Sequence, residues 1–434
     1  MEQALLLTSV HILDPRSPWH NRVTDVLLMN GSIAAMGDDA ASSLPEQGSR
    51  LDGSGSVLSP GWVDLQVHFR EPGEETKEGM LRGLQAAAAG GMTAVGILPS
   101  THPCVDHAGA VTGILASAER AHQAGIPTQA LPLAHVSEGG RGQQISEMHD
   151  MHEAGAVGFT DDRALDRVGL LQRALTYSLV HGKAVMDVPL DHDLNAGGVM
   201  HEGAVSTAMG LTGSPTEAET IRIARDLDIL RYAGGHLHFS VVTTAEGVEL
   251  IRQAKHEGLQ VTCATTAMHL AYHDEDLLGF VGTLRMMPPL RSAKDRTALR
   301  QGILDGTIDA ITSDHRPEDL EHHDVEFMLS PDGVASLPSA FALSWKGMRE
   351  ICPDETEALL ATLRAWTSGP SSILGLHPLP LDVGAPANLT WFDPHAIHQP
   401  HVHTRGMNLP PLPENTLGQV LGTFRDRRTW LAPR

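Results

Sequence analysis

At 434 residues the chain is too long for one minimal domain, and with 41% hydrophobic residues it can bury a large core. No apolar run approaches the roughly 20 residues of a membrane span. A formal net charge of -22 argues against nucleic acid as a partner, because phosphate binding wants a basic stripe.

The chain opens on MEQALLLTSVHILDP, which has no basic leader region and does not read as a signal peptide. The first 58 residues read as short strands, with Asn30-Gly31 as a hairpin turn signal. The middle then alternates. Strand-length apolar runs recur at 63–66, 93–98, 129–135, 156–160, 184–188, 236–241, 260–264 and 309–312. Between them lie segments of helical periodicity, among them GMLRGLQAAAAGG, VGLLQRALTYSLVHG, AETIRIARDLDILRYAGG, TAEGVELIRQAKHEG and SAKDRTALRQGILDG. Several end in glycine, as helix C-termini do. ANLTWFDP and LGQVLGTFRDRRTWLAP return to strand character at the end.

Eight strands alternating with helices predict an α/β fold, a TIM-type (β/α)₈ barrel over 59–378. Residues 1–58 and 379–434 then form one small composite β-sandwich module. An open doubly wound sheet is the alternative, but the G-x-G-x-x-G fingerprint after a first strand is missing. Cys104, Cys263 and Cys352 form no C-x-x-C pair and are expected as free thiols in a reducing cytoplasm. The tract holding His395, His398, His401 and His403 is expected to be a solvated, proline-containing loop.

A barrel of this kind carries its chemistry at the C-terminal strand ends. The first strand runs into Gln66, His68 and Arg70, the second into Ser100, and the fourth into Asp161 and Asp162. The fifth ends at Val188 and the sixth at Val241. The seventh leads to Met268 and His269, and the eighth to Asp314-His315. A hydrolytic zinc needs about three protein ligands plus an open position. Valine donates no lone pair, and glutamine is a poor substitute for imidazole.

PGWVDLQVHFREPGEETKEG resembles the dihydroorotase signature, whose first-strand motif is D-x-H-x-H-x-R-x-P-G. GFTDD, GGVMHEG, PPLRSAKDR, DGTIDAITSDHRP, DVEF, SSILGL and ANLTWFDP follow in family order at family spacing. The resemblance implies an amidohydrolase barrel. It also implies metal positions at Gln66, His68, Asp162, Val188 and Val241, with Asp314 as general base. Three of the five direct ligands are therefore lost, and His68, Asp162 and Asp314 are vestigial. On the substrate side, Arg70 matches the arginine that grips the carboxylate of dihydroorotate. Ser100 and Met287 replace asparagines, and Glu318 replaces the second histidine of D-H-A-P-H.

The chain thus resembles the metal-ligand-deficient dihydroorotases that assemble with aspartate carbamoyltransferase. The implied function is that of a pseudoenzyme of de novo pyrimidine biosynthesis, with no cofactor and no intact catalytic residue. The alternative is an active zinc-dependent dihydroorotase, or a related cyclic amidohydrolase. Its rearranged site would draw on His68, Asp162 and Asp314 with His236, His238 or His269. Weak binding of an anionic pyrimidine intermediate at Arg70 is compatible with the first reading. In a mouth without zinc, Arg70 is expected to pair with an acid such as Asp162 or Asp314.

Overall fold

The computed structural model describes residues 4–401 and 403–433. Eight parallel strands stand in chain order: β1 (Trp62–Val67), β2 (Met92–Ile97), β3 (Gln129–Ala134), β4 (Gly158–Phe159), β5 (Val185–Asp187), β6 (Leu237–Phe239), β7 (Val261–Thr266) and β8 (Ala310–Thr312). All eight lie within or beside the runs expected from sequence. The five quoted helical segments form Met80–Ala89, Val168–His181, Glu217–Ala233, Ala245–His256 and Ala293–Asp305. Gly182 (φ 65°) and Gly306 (φ 82°) end two of them in the left-handed conformation that glycine adopts without a Cβ clash.

The ring closes between β1 and β8. Val67 bridges His315, and the His68 N–H donates to the His315 carbonyl at 2.8 Å. One buried acid holds this seam. Asp64 Oδ1 accepts from the Thr312 hydroxyl at 2.5 Å, and its carboxylate also takes the Ser313 N–H. Alternation along the strands turns Val63, Leu65, Ala94, Leu131, Leu133, Met186, Ala264 and Ala310 into one apolar cluster. Ile373 and Leu374 join it from the end of the helix Ser368–Ile373, whose Gly369 lies against the Asp309 backbone just before β8.

Strands from both chain ends build a second sheet of eight strands. Its centre is Val57–Pro60, which runs parallel to Leu5–Ile12 on one side and antiparallel to Asn388–Ile397 on the other. Leu5, Leu7, Val10 and Ile12 face one apolar cluster, while Leu6 faces another with Leu27 and Ala35. The expected hairpin turns at Asn30 (φ 56°) and Gly31 (φ 84°), joining Val23–Met29 to Ser32–Met36. A Cβ on Gly31 would come within 2.7 Å of the Asp426 backbone, so glycine is required there twice over. The three cysteines are free thiols, and no described helix is long and apolar enough to cross a membrane.

Trp62 locks the barrel to the second sheet. It is fully buried, stacks on Phe341 at 4.3 Å, meets Phe392 edge-on at 5.1 Å, and donates its indole N–H to Ser59 Oγ at 3.0 Å. Trp62→Ala is expected to cost about 3–5 kcal/mol, read as a lower urea midpoint. An unchanged midpoint would show that the two units are joined elsewhere.

Candidate functional site

The strand ends converge as the barrel rule requires, and three of them carry charge on unusual backbone. Arg70, Asp162 and Asp314 hold φ values of 60°, 54° and 47°. Each is a non-glycine residue in the left-handed region, a conformation that costs free energy and clusters at functional sites.

The centre of the mouth is a guanidinium. Arg316 reaches Asp162 with both terminal nitrogens, at 3.0 and 2.6 Å, and Asp314 Oδ1 with Nε at 3.0 Å. Asp162 also accepts from the Ser100 hydroxyl at 2.5 Å, and Asp314 from the Gln66 amide at 3.1 Å. Burial works against a charge on Asp162, but the Arg316 guanidinium outweighs it and holds the carboxyl below its ordinary range. For Asp314 burial prevails, aided by the neighbouring Asp162 charge, and the carboxyl sits above its ordinary range despite Arg316. The cation that pairs with the two acids is thus Arg316, and not Arg70 as expected from sequence. The sequence did hold one signal, an arginine at the alanine of the resembled D-H-A-P-H motif, which marks an added cation but not its partner.

Arg70 is committed elsewhere. It donates to Glu318 at 2.5 Å, to the Pro317 carbonyl at 3.2 Å and to Glu74 at 3.5 Å. Lys77 joins the same group, 2.9 Å from Glu318 and 2.7 Å from Glu74. The segment that carries Arg316 and Glu318 is itself pinned by a strap from the C-terminal part of the chain. The Asn408 amide donates to the Arg316 and Gly333 carbonyls and accepts the Glu318 N–H, at 2.8, 3.0 and 2.9 Å.

His68 has both ring nitrogens engaged. Nδ1 accepts the Arg70 N–H at 3.1 Å, so Nε2 carries the proton and donates it to the Ser100 carbonyl at 2.9 Å. Burial, with Arg70 nearby, lowers its pKa to about 4. His269 is occupied in the same way, by the Thr266 hydroxyl at 2.7 Å and the Pro289 carbonyl at 3.3 Å. His236, just before β6, and His238, within it, both meet the Thr262 hydroxyl and do not reach the mouth cluster of Asp162, Asp314 and Arg316. Asp161 turns aside to the Ser137 N–H and hydroxyl. Val188 is half-buried and Val241 buried, while Met287 brings a thioether. The described part of the histidine tract is irregular chain from His398 onward, as expected, but it is less solvated than expected. His395 belongs to a strand, His398 bonds Ser339 at 3.2 Å, and His401 and His403 lie against Trp430.

These residues do not fit a catalytic zinc. The oxygen donors Asp162 and Asp314 already share a guanidinium, both nitrogens of His68 are used, and two strand ends present aliphatic groups. Among the described residues, no three His, Cys, Asp or Glu side chains converge closely enough to hold a metal ion.

A closed parallel barrel with its polar residues at the C-terminal strand ends, beside a sheet built by both chain ends, is the architecture of the amidohydrolase superfamily. L-hydantoinase (dihydropyrimidinase) from Arthrobacter aurescens superposes with a TM-score of 0.81 at 21% identity, covering 99% of this chain and 96% of that one. D-hydantoinase (dihydropyrimidinase) from Thermus sp. gives 0.77 at 18% identity, covering 98% and 94%. These likenesses concern the fold. The dihydro-orotase-like family profile matches residues 55–247. The dihydroorotase of Pelotomaculum thermopropionicum is 37% identical over 390 residues, 89% of each chain. That of Syntrophus aciditrophicus is 36% identical over 424 residues, 97% of each. The chain belongs to the dihydroorotase family.

His68 provides a pH test. Its folded pKa of about 4 lies below the ordinary 6.5, so the unfolded chain takes up the proton first on acidification. The stability it contributes is complete above about pH 6.5 and is lost as pH falls through about 4. Compared with His68→Asn, the wild type should lose on the order of 3 kcal/mol more between pH 7 and pH 4. Parallel pH profiles in chemical denaturation would refute this.

Proposed function

We propose that this chain is a dihydroorotase-family pseudoenzyme of de novo pyrimidine biosynthesis. In this reading it is cytoplasmic, holds no metal, and serves as a structural or assembly subunit of aspartate carbamoyltransferase. The observation that carries the reading is Arg316, a fixed cation bonded to the two acids that would otherwise face a metal. Without a metal, water keeps a pKa near 15.7 instead of about 7. A lone carboxylate acting as general base contributes roughly 10²–10⁴-fold, far short of what amide hydrolysis needs.

The name shared by the relatives, dihydroorotase, supports the pathway. The association with the transferase rests on the sequence resemblance and on the physics of linkage, by which binding a folded partner stabilises it without chemistry. Exposed Tyr177, Val180 and Tyr232, on the packed outer helices Val168–His181 and Glu217–Ala233, supply apolar surface for such assembly. The same names favour the second reading, an active zinc-dependent dihydroorotase or related cyclic amidohydrolase.

Untagged protein, dialysed and assayed for zinc and for dihydroorotate turnover, separates the two readings. The pseudoenzyme is expected to hold less than about one-tenth of a zinc per chain and to give no turnover, while co-sedimenting with the transferase. About one retained zinc with turnover would establish the alternative. Arg70 and Lys77 are engaged by Glu318, so calorimetry with millimolar dihydroorotate should give no heat in the wild type. Glu318→Ala leaves Arg70 and Lys77 with the half-buried Glu74 as their remaining acid partner, and measurable binding should then appear. Binding of equal strength in both proteins would refute this account of the mouth.

A further inference from the structure

We propose that Arg316 is a built-in counter-ion, a covalently tethered replacement for the cation that Asp162 and Asp314 would otherwise require. The inference rests on the metal-free reading above but concerns a different property, the stability of the mouth.

Two carboxylates this buried, with side chains 6% and 4% exposed, repel each other and lose hydration. A buried acid pair must find a cation, release its charge, or destabilise the fold. Arg316 supplies the cation with directional bonds. Its flat fork matches Asp162 in a bidentate pair, and the third nitrogen turns to Asp314. The remaining contacts to the acids come from neutral groups, the Ser100 hydroxyl and the Gln66 amide. Both suit carboxylates whose charge is already met, and glutamine donates here where an imidazole would have offered a lone pair to a metal.

The tether is rigid at both ends. Arg316 lies between Asp314, held by the β1–β8 seam, and Glu318, fixed to Arg70 and Lys77. Asn408 grips the backbone of both Arg316 and Glu318. The guanidinium is therefore delivered to the acids by the chain itself. A diffusible ion could be chelated away, but this one cannot, and stability no longer depends on metal supply.

The test is thermal unfolding of the full chain with and without excess zinc sulfate, after treatment with chelator. Wild type should be indifferent to both. Arg316→Ala should lower the midpoint by about 5–10 °C in chelator, and zinc should recover at least half of the loss. Asp314→Asn in the Arg316→Ala background removes the repulsion, so it should recover stability without zinc and lose the zinc response. Should Arg316→Ala not fold, Arg316→Lys is the substitute. It keeps the charge but not the three bonds, and should show a smaller fall with no zinc response. An unchanged midpoint in Arg316→Ala or Arg316→Lys would overturn the proposal. So would a loss in Arg316→Ala that neither zinc nor Asp314→Asn recovers. Wild type that holds zinc and gains stability from it would instead overturn the metal-free reading itself.

Discussion

Charge neutrality at the barrel mouth is the constraint around which the other residues arrange themselves. Two acids at the ends of β4 and β8 lie out of water, and something positive has to stand between them. Once Arg316 fills that role, its neighbours follow. Ser100 and Gln66 become donors to the carboxylates instead of parts of a ligand cage, and His68 folds back onto the backbone of Arg70 and Ser100 with no nitrogen free. Two residues further on, Glu318 does the converse for Arg70 and Lys77. Charges that a hydrolase would leave open to an ion and a substrate are satisfied within the chain.

Much of this architecture was legible in the sequence. The eight apolar runs and five helical segments have strong periodicity, and a parallel barrel leaves few other ways to bury them. The joining of the two chain ends was readable from their common strand character. The departures from the resembled motif were equally plain, since Val188 and Val241 carry no lone pair to offer. The internal pairing was harder to read. Arg70 drew attention because a motif singles it out, whereas Arg316 sits at a position where that motif has a small residue. Which cation meets which acid depends on direction and reach: Arg316 leaves the end of β8 pointing across the mouth, while Arg70 points along its rim toward Glu318. The sequence spacing of the two arginines carries no such information. The histidine tract was read in part: its described part is irregular chain from His398 onward, as composition suggested, but Ser339 and Trp430 give three of its histidines partners that composition could not show.

The backbone at the mouth is also informative. Left-handed φ angles occur at Arg70, Asp162 and Asp314, each just past a strand end at the mouth. These backbone angles set where each of the three charged side chains points. A barrel can change its contents because the core of Val63, Leu65, Leu131, Leu133 and Met186 lies below the mouth and does not depend on what fills it.

The central position of Val57–Pro60 in the second sheet has an outcome for how the protein is made. On one side it pairs with a strand already synthesised, and on the other it awaits Asn388–Ile397, more than three hundred residues later. Throughout translation of the barrel that side remains an open edge, with unpaired backbone donors and acceptors available to any passing strand. A strand made late thus seals one made early, and a chain released before residue 388 would carry a finished barrel beside an adhesive seam.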